Sequence, residues 1–411
     1  MKKQLSIEEK YTLLDYKYKY KTHRSTIWAT VGALLGVFSV IVYAVCHIAL
    51  SDKTVSEIYT DKIFYYINFP IRKISEFIPF SVAELLLYVA IVCFLVFVIK
   101  TIYATVAATV LYFRMKKSGR YPERRTILRA TENFALRMSS VLCFVVAIFI
   151  LFGGINYTGE TFAVKADYEL GGYTVGQLKQ LCVYLGQGAS YTRKVIKTNL
   201  NGTINDKLTE YNPYNLAEDA KTAYNCLPSE YNSYHTQYPA VKFAYSSQIM
   251  SNVHITGIYP YVFPEAVVNI NTPIMSLPHT ICHEMAHQRG FAREDEANFI
   301  AFMACLESDN PLFVYSAYYT GFVYAMGELY NYDYVAWGQI MNMVDKEVKE
   351  DISRENKYWR QFETISNEFT SSVNDTYLNI MNVQDGVQSY GRMVELLLAE
   401  AVRSGIVQNI M

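Results

Sequence analysis

Three long apolar stretches near the N-terminus constrain the fold of this chain more than any other feature. Residues 26–50 and 138–155 contain no Asp, Glu, Lys or Arg, and residues 81–103 contain only Glu84 and Lys100. A helix that crosses a bilayer needs about 20 predominantly apolar residues. Buried helices of a soluble core can also be apolar, but three runs of this length favour membrane spans. We therefore predict three transmembrane helices.

The distribution of basic residues predicts the orientation of these spans. Lys and Arg are frequent in residues 1–25 and 104–137 and sparse in residues 51–80. Because cytoplasmic loops carry the excess of Lys and Arg, the two basic segments are expected in the cytoplasm. Three crossings then divide the chain into residues 1–156, with the cytoplasmic N-terminus and the spans, and an extracytoplasmic domain at 157–411. The first apolar run is too long for the core of a cleavable signal peptide.

The sequence His283-Glu284-Met285-Ala286-His287 reads HExxH, the helix-borne zinc motif of metallopeptidases. Residues four apart share one face of a helix, so both imidazoles can bind the same cation. Glu284 would lie near the open coordination position, where it can accept a proton from water. The motif fixes only three positions, and it therefore also occurs by chance on ordinary amphipathic helices. The surrounding residues decide between the two interpretations.

Those surroundings predict two short consecutive helices. Ser276 is a candidate N-cap, and Pro278 would lie in the first turn. Gly290 follows the motif, at a position after a helix C-terminus where the backbone often adopts the left-handed conformation that glycine tolerates. These signals predict helices over residues 277–289 and 292–308. The second helix carries polar residues near its start: Glu294, Glu296 and Asn298. Two imidazoles, a nearby carboxylate and one open position are the pattern of catalytic zinc.

HExxH followed by E-x-x-x-(D/N) on the next helix resembles the gluzincin metallopeptidases. The resemblance implies that Glu294 is the third zinc ligand and that Asn298 supports a ligand histidine. Only six residues separate His287 from Glu294, a tighter connection than the gluzincin pattern has, so Glu296 stays open as an alternative ligand. The longer string HEMAHQRGFAREDEANF also resembles an uncharacterised bacterial membrane-protein family, domain of unknown function 3810. That resemblance covers nearly the whole chain and implies a bacterial cytoplasmic membrane.

The outer domain is predicted to be largely helical. Helical periodicity or composition marks residues 174–187, 216–226, 277–289, 292–308, 312–331, 334–347 and 388–404. The tripeptide Gly186-Gln187-Gly188 predicts a break after the first of these helices. Between residues 240 and 272, branched apolar residues and prolines predict short strands, and residues 253–270 could pair with an extended peptide substrate. The predicted fold class is mainly α (α+β): three transmembrane helices followed by a zincin-like domain with a small β-element.

Together these features predict a membrane-anchored zinc metallopeptidase. Zn²⁺ would be held by His283, His287 and Glu294, with Glu284 as the general base. The expected partners are the lipid bilayer and a peptide or protein substrate, such as a cell-wall peptide. The net charge of −1 argues against nucleic-acid binding through a basic surface. A non-catalytic membrane protein that keeps zinc as a structural element or a sensor is the alternative.

Overall fold

The computed structural model describes residues 6–119, 125–198, 202–204, 211–228, 231, 238–261, 263–362 and 389–408. Helices dominate this part of the chain and a three-stranded sheet accompanies them, so the predicted mainly α fold class is confirmed. Within the described ranges, three helices are long and apolar enough to cross a membrane, as the sequence predicts. The chain divides into two compact units, residues 1–49 with 84–154 and residues 50–83 with 155–411.

The first unit is built from the three apolar helices. They are α1 (Ile7–Ile48), α4 (Val82–Lys117) and α5 (Arg125–Phe152). Each helix is longer than the corresponding transmembrane segment predicted from the sequence. A capping box between Ser6 and Glu9 starts α1 well before the apolar run. Helices α1 and α5 pack closely because Gly32 lies against Ser140, whose hydroxyl donates to the carbonyl of Trp28. Small residues at such contacts are typical of helices that associate in a bilayer.

The second unit contains the remaining helices. They are α2 (Asp52–Val55), α3 (Tyr65–Glu76), α6 (Phe162–Lys165), α7 (Val175–Arg193), α8 (Pro213–Cys226), α9 (Ser247–Asn252), α10 (Leu277–Gln288), α11 (Glu294–Leu306), α12 (Pro311–Tyr332), α13 (Tyr334–Met343), α14 (Lys346–Arg360) and α15 (Ser389–Arg403). A π-helical segment, Ser56–Phe64, connects α2 to α3. The division predicted from the sequence groups residues 50–83 with the membrane part, whereas the structure places them in the same compact unit as residues 155–411.

A small sheet lies beside α10 in the second unit. Its strands are β1 (Lys242–Phe243), β2 (Gly257–Ile258) and β3 (Val267–Val268), in the order β1-β3-β2. Strand β3 pairs in parallel with β1 and antiparallel with β2, so that β2 forms one edge. The predicted short strands between residues 240 and 272 are therefore confirmed.

The predicted break at Gly186-Gln187-Gly188 is wrong, because α7 continues to Arg193. The two glycines serve helix packing instead of chain reversal. A Cβ on Gly186 would lie 3.0 Å from the ring of Phe322, and one on Gly188 would lie 2.6 Å from Cε1 of Tyr318. Glycine thus lets α7 and α12 approach more closely than a larger residue would allow.

The helix predicted over residues 334–347 ends at Met343, and a further helix, α14, follows it. The sequence of α14 is rich in charges, which conceals its few apolar positions. Its buried carboxylate Asp351 accepts hydrogen bonds from Arg193 and Tyr315, at 2.5 and 2.8 Å. Removing one partner of such a buried ion pair typically costs about 3–5 kcal/mol, so this pair ties α14 to α7 and α12.

Candidate metal centre

Helix α10, which carries the HExxH residues, lies in the interior of the second unit. Every residue of this helix except His283 is buried. Pro278 lies in the first turn, where its missing N–H interrupts no intrahelical hydrogen bond. Ser276 occupies the N-cap position, as predicted, although its side chain makes no capping hydrogen bond. The hydroxyl instead donates to the carboxylate of Glu355 on α14, at 2.7 Å. This hydrogen bond anchors the start of α10 to α14.

Helix α10 ends at Gln288, and Gly290 follows its C-terminus as predicted, with a φ of +97°. The N–H of Gly290 donates to the carbonyl of His287, and the N–H of Phe291 donates to the carbonyl of Ala286. These two hydrogen bonds form a Schellman motif, which reverses the chain direction immediately after the helix. A Cβ at Gly290 would also lie 2.8 Å from Cγ2 of Thr60 in the π-helical segment. Backbone conformation and close packing therefore both require glycine here.

Three side chains converge beside α10 on one point. The Nε2 atoms of His283 and His287 are 3.1 Å apart. Glu294 contributes Oε2 at 3.2 Å from His283 Nε2 and Oε1 at 3.6 Å from His287 Nε2. Two atoms that bind the same tetrahedral zinc at about 2.0–2.1 Å are themselves about 3.3–3.4 Å apart. The donor set and its spacing therefore fit a zinc ion with one coordination position left for water or substrate.

The hydrogen bond made by His287 orients its imidazole toward this point. Nδ1 of His287 lies 2.7 Å from the carbonyl oxygen of Phe291, which can only accept, so Nδ1 donates. In the neutral ring Nε2 then carries the lone pair that a metal needs. Burial lowers the pKa of His287, but the adjacent Glu294 carboxylate outweighs this effect and raises the pKa to about 9. A proton and a metal ion would thus compete for the same nitrogen.

Glu294, and not Glu296, is the carboxylate that the structure brings to the two histidines. Glu294 is the first residue of α11, and its side chain is 34% exposed, which leaves the group accessible from one side. Burial raises the pKa of Glu294, but the two histidines outweigh it and hold the pKa well below its usual range. Glu296 is directed elsewhere and accepts a hydrogen bond from the backbone N–H of Phe162, at 2.7 Å.

Glu284 is buried next to the same group, with an exposed fraction of 3%. Its side chain lies against strand β2, because a Cβ on Gly257 would be only 2.6 Å from Cγ of Glu284 and 2.7 Å from its Cδ. Burial raises the pKa of Glu284 to about 7, against the opposing influence of His283 and His287. A carboxylate with a pKa near neutrality is suited to exchange protons with a substrate.

Asn298, which the resemblance to gluzincins implies as a support for a ligand histidine, makes a different contact. The backbone carbonyl of Asn298 lies 3.1 Å from Nε2 of His279, one turn before the motif on α10. His279 is buried and does not belong to the group of three converging side chains. A supporting role for the Asn298 side chain stays a prediction. Among the described residues, Nδ1 of His283 has no hydrogen-bond partner.

Two buried arginines, whose contacts the sequence does not predict, fix the end of α10. Arg72 on α3 donates to the carbonyl of Gln288 at 3.0 Å, and Arg289 donates to the carbonyl of Met285 at 2.9 Å. The guanidinium of Arg289 also lies 3.8 Å from the centre of the Tyr224 ring. Positive charge at a helix C-terminus is favourable because the last carbonyls point there. Arg289 therefore stabilises the helix and is not available to a substrate.

Comparison with known proteins places the chain in a family without assigning a reaction to it. No curated protein and no solved structure matches the chain. The family model described as "Protein of unknown function (DUF3810)" matches residues 59–398, which include the candidate metal centre and the two apolar helices α4 and α5. The match covers most of the chain. The chain therefore belongs to the DUF3810 family, as the resemblance of its sequence implies.

Proposed function

We propose that this protein is a membrane-anchored, zinc-dependent metallopeptidase. The observation that carries the proposal is the convergence of His283, His287 and Glu294, whose ligand atoms all lie within 4.8 Å of one another, beside the buried Glu284. Three protein ligands with an accessible fourth position are typical of catalytic zinc, whereas structural zinc sites usually have four protein ligands. The exposed side of Glu294 offers that access.

His283, His287 and Glu294 would hold the zinc ion. When bound, zinc would supply Lewis-acid activation of a water molecule and of the carbonyl group of the scissile peptide bond. The hydrogen bond from His287 to Phe291 keeps the imidazole oriented through the reaction. Glu284 accepts the proton of the attacking water and then delivers it to the leaving nitrogen of the peptide. Burial supports this role because it raises the pKa of Glu284 to about 7, which suits a group that accepts a proton and then returns it.

The edge strand β2 offers a binding surface for the substrate backbone. Gly257 in β2 lies against Glu284, and its neighbour Ile258 is exposed. An extended peptide could add to this edge of the sheet through main-chain hydrogen bonds and would then pass next to the metal centre. This mode of binding favours peptides and unfolded protein segments as substrates, and peptides of the cell wall belong to this class.

The positive-inside rule supports a cytoplasmic N-terminus and an extracytoplasmic metal centre in the bacterial cytoplasmic membrane. With three crossings, residues 50–83 and residues 155–411 emerge on the same side of the bilayer. That both segments form a single compact unit is consistent with this number of crossings. Substrates of the proposed peptidase would therefore be sought outside the cytoplasm.

Metal analysis and peptide cleavage by the full-length protein in detergent test the proposal. We expect about one zinc per chain, lost in the variants His283→Ala and Glu294→Gln, because each removes a ligand. The matched variant Glu296→Gln should keep the zinc, since Glu296 lies outside the group. Glu284→Gln should also keep the zinc but lose cleavage of a mixed peptide library.

The results of this experiment separate the proposed function from its alternative. A zinc-free protein would refute the metal site and the peptidase together. A protein that holds zinc in the predicted manner but cleaves no peptide in the library would favour a structural or sensory role for zinc. Cleavage that a chelator abolishes and Glu284→Gln leaves intact would keep the metal but dismiss Glu284 as the base.

A further inference from the structure

Helix α3 presents an apolar face outward from the second unit. Ile74 is 66% exposed, and Phe77, at the end of the helix, is 86% exposed. Ile63, Tyr66 and Ile67 are also exposed and extend the face toward the π-helical segment. The spacings of three, four and seven residues place these positions on one side of the helix. We call Ile63, Tyr66, Ile67, Ile74 and Phe77 the α3 apolar face.

The opposite side of α3 is polar and buried. Asn68, Arg72 and Ser75 are all at most 2% exposed. Arg72 donates to the carbonyl of Gln288, and Ser75 donates to the carboxylate of Glu265 at 2.5 Å. A surface helix of a water-soluble protein has the reverse arrangement, with its apolar side packed on the core and its polar side in water. The outward side of α3 is therefore suited to an apolar medium and not to water.

The connectivity of the chain identifies that medium. Helix α1 ends at Ile48 and helix α4 begins at Val82, and both are long and apolar enough to cross a membrane. The segment between them, which includes α3, must therefore leave and re-enter the same membrane surface. Phe77 lies five positions before Val82, so the intervening chain can span at most about 18 Å. The α3 apolar face is thus tethered within reach of the bilayer at all times.

We propose that the α3 apolar face binds the lipid bilayer, so that α3 lies in the membrane interface. Helices that lie in this plane bury a face of large apolar and aromatic side chains among the headgroups and the upper acyl chains. Lys73, beside this face, forms an ion pair with Glu76 at 3.0 Å and so adds little net positive charge. The exposed Lys62 adjoins Ile63 of this face, so binding should depend mainly on burial of apolar surface and only weakly on anionic lipid. The proposal concerns lipid contact alone and does not depend on peptidase activity.

Quenching of a tryptophan placed on this face tests the proposal in the full-length protein. The variant Phe77→Trp is reconstituted into phosphatidylcholine vesicles with and without bromine atoms on the acyl chains. The emission of the three native tryptophans is measured on the unsubstituted protein and subtracted. We expect brominated lipid to remove most of the emission that Trp adds at position 77. The added emission should also be shifted to shorter wavelength and be little affected by acrylamide in the water.

The variant Tyr191→Trp is the matched control, since Tyr191 is an aromatic residue of α7 with a comparable exposed fraction of 74%. Its added emission should be quenched by acrylamide and not by brominated lipid. Quenching of Phe77→Trp by acrylamide alone would overturn the proposal, as would equal quenching of both variants by brominated lipid. Shielding of position 77 from both quenchers would also overturn it, in favour of a protein partner. Unchanged quenching when phosphatidylglycerol is added would support apolar burial as the basis of binding.

Discussion

The contact between Gly257 and Glu284 predicts that a single methyl group can separate metal binding from catalysis. In the variant Gly257→Ala, the new Cβ would lie 2.6 Å from Cγ of Glu284 and 2.7 Å from its Cδ. Ordinary contact requires about 3.4 Å, so the Glu284 side chain must retreat by about 1 Å. Gly257 has no left-handed backbone conformation, and the displaced atoms belong to a flexible side chain, so the fold should survive.

A displacement of about 1 Å of a catalytic group can reduce a rate by about 10²-fold, which corresponds to about 2.7 kcal/mol of transition-state stabilisation. We expect Gly257→Ala to lower kcat/KM for a peptide substrate by about this factor. The zinc content should stay at the level of the unsubstituted protein, because the change does not touch His283, His287 or Glu294. Steady-state cleavage of a fluorogenic peptide, together with metal analysis of the same sample, measures both quantities.

The variant Gly338→Ala provides the control, because a Cβ at Gly338 on α13 would meet no atom within 4 Å. Its kcat/KM should equal that of the unsubstituted protein. Full activity of Gly257→Ala would refute the reasoning, since it would mean that the position of Glu284 against β2 is unimportant for catalysis. Loss of zinc from Gly257→Ala would refute it in a different way, by showing that the methyl group disturbs the metal ligands.

Two further predictions concern protons and packing. Zinc binding near pH 7 should release about one proton from His287, because its pKa of about 9 keeps it protonated in the metal-free protein. The number of protons released should decline as the pH rises through 9. Calorimetry in buffers of different ionisation enthalpy measures this release, and a pH-independent value would contradict the pairing of His287 with Glu294. Gly188→Ala should lower the free energy of unfolding by about 1–2 kcal/mol despite the higher helix propensity of Ala, because its Cβ would overlap the ring of Tyr318. In thermal or denaturant unfolding, Gly338→Ala should instead be neutral or stabilising by up to about 1 kcal/mol, and equal effects of both changes would contradict the packing argument.

The local sequence predicts α10 well because its determinants are local. The HExxH spacing, Pro278 and Gly290 predict a helix over residues 277–289, and the structure has Leu277–Gln288. The sequence leaves Glu294 and Glu296 open as ligands, since the direction of the chain after the helix cannot be read from spacing. The Schellman motif at Gly290 reverses the chain, and α11 then starts with Glu294 beside the histidines. Six intervening residues are therefore sufficient.

Long-range contacts are the part of the site that the sequence does not predict. Arg72 and Gln288 are 216 positions apart, and no local pattern around either residue indicates that they meet. The glycines at positions 186 and 188 show the same limit, since they read as a helix break when their packing partners on α12 are unknown. Apolar periodicity also fails for α14, because one of its buried residues is the carboxylate Asp351, beside the apolar Val348.

The segment between the first two apolar helices is an integral part of the unit that contains the candidate metal centre, and not only a link between spans. Glu265, a buried residue that precedes β3 in the sequence, accepts hydrogen bonds from Ser75, from Ser81 at 2.9 Å and from the backbone N–H of Ala83 at 2.9 Å. A fragment that begins near residue 157 would lack all three donors and would leave this carboxylate buried without them, at a cost of about 1–3 kcal/mol or more. It would also lack Arg72 at the end of α10. Because this segment is attached at both ends to apolar helices, the architecture of the candidate metal centre and its attachment to the membrane depend on the same residues.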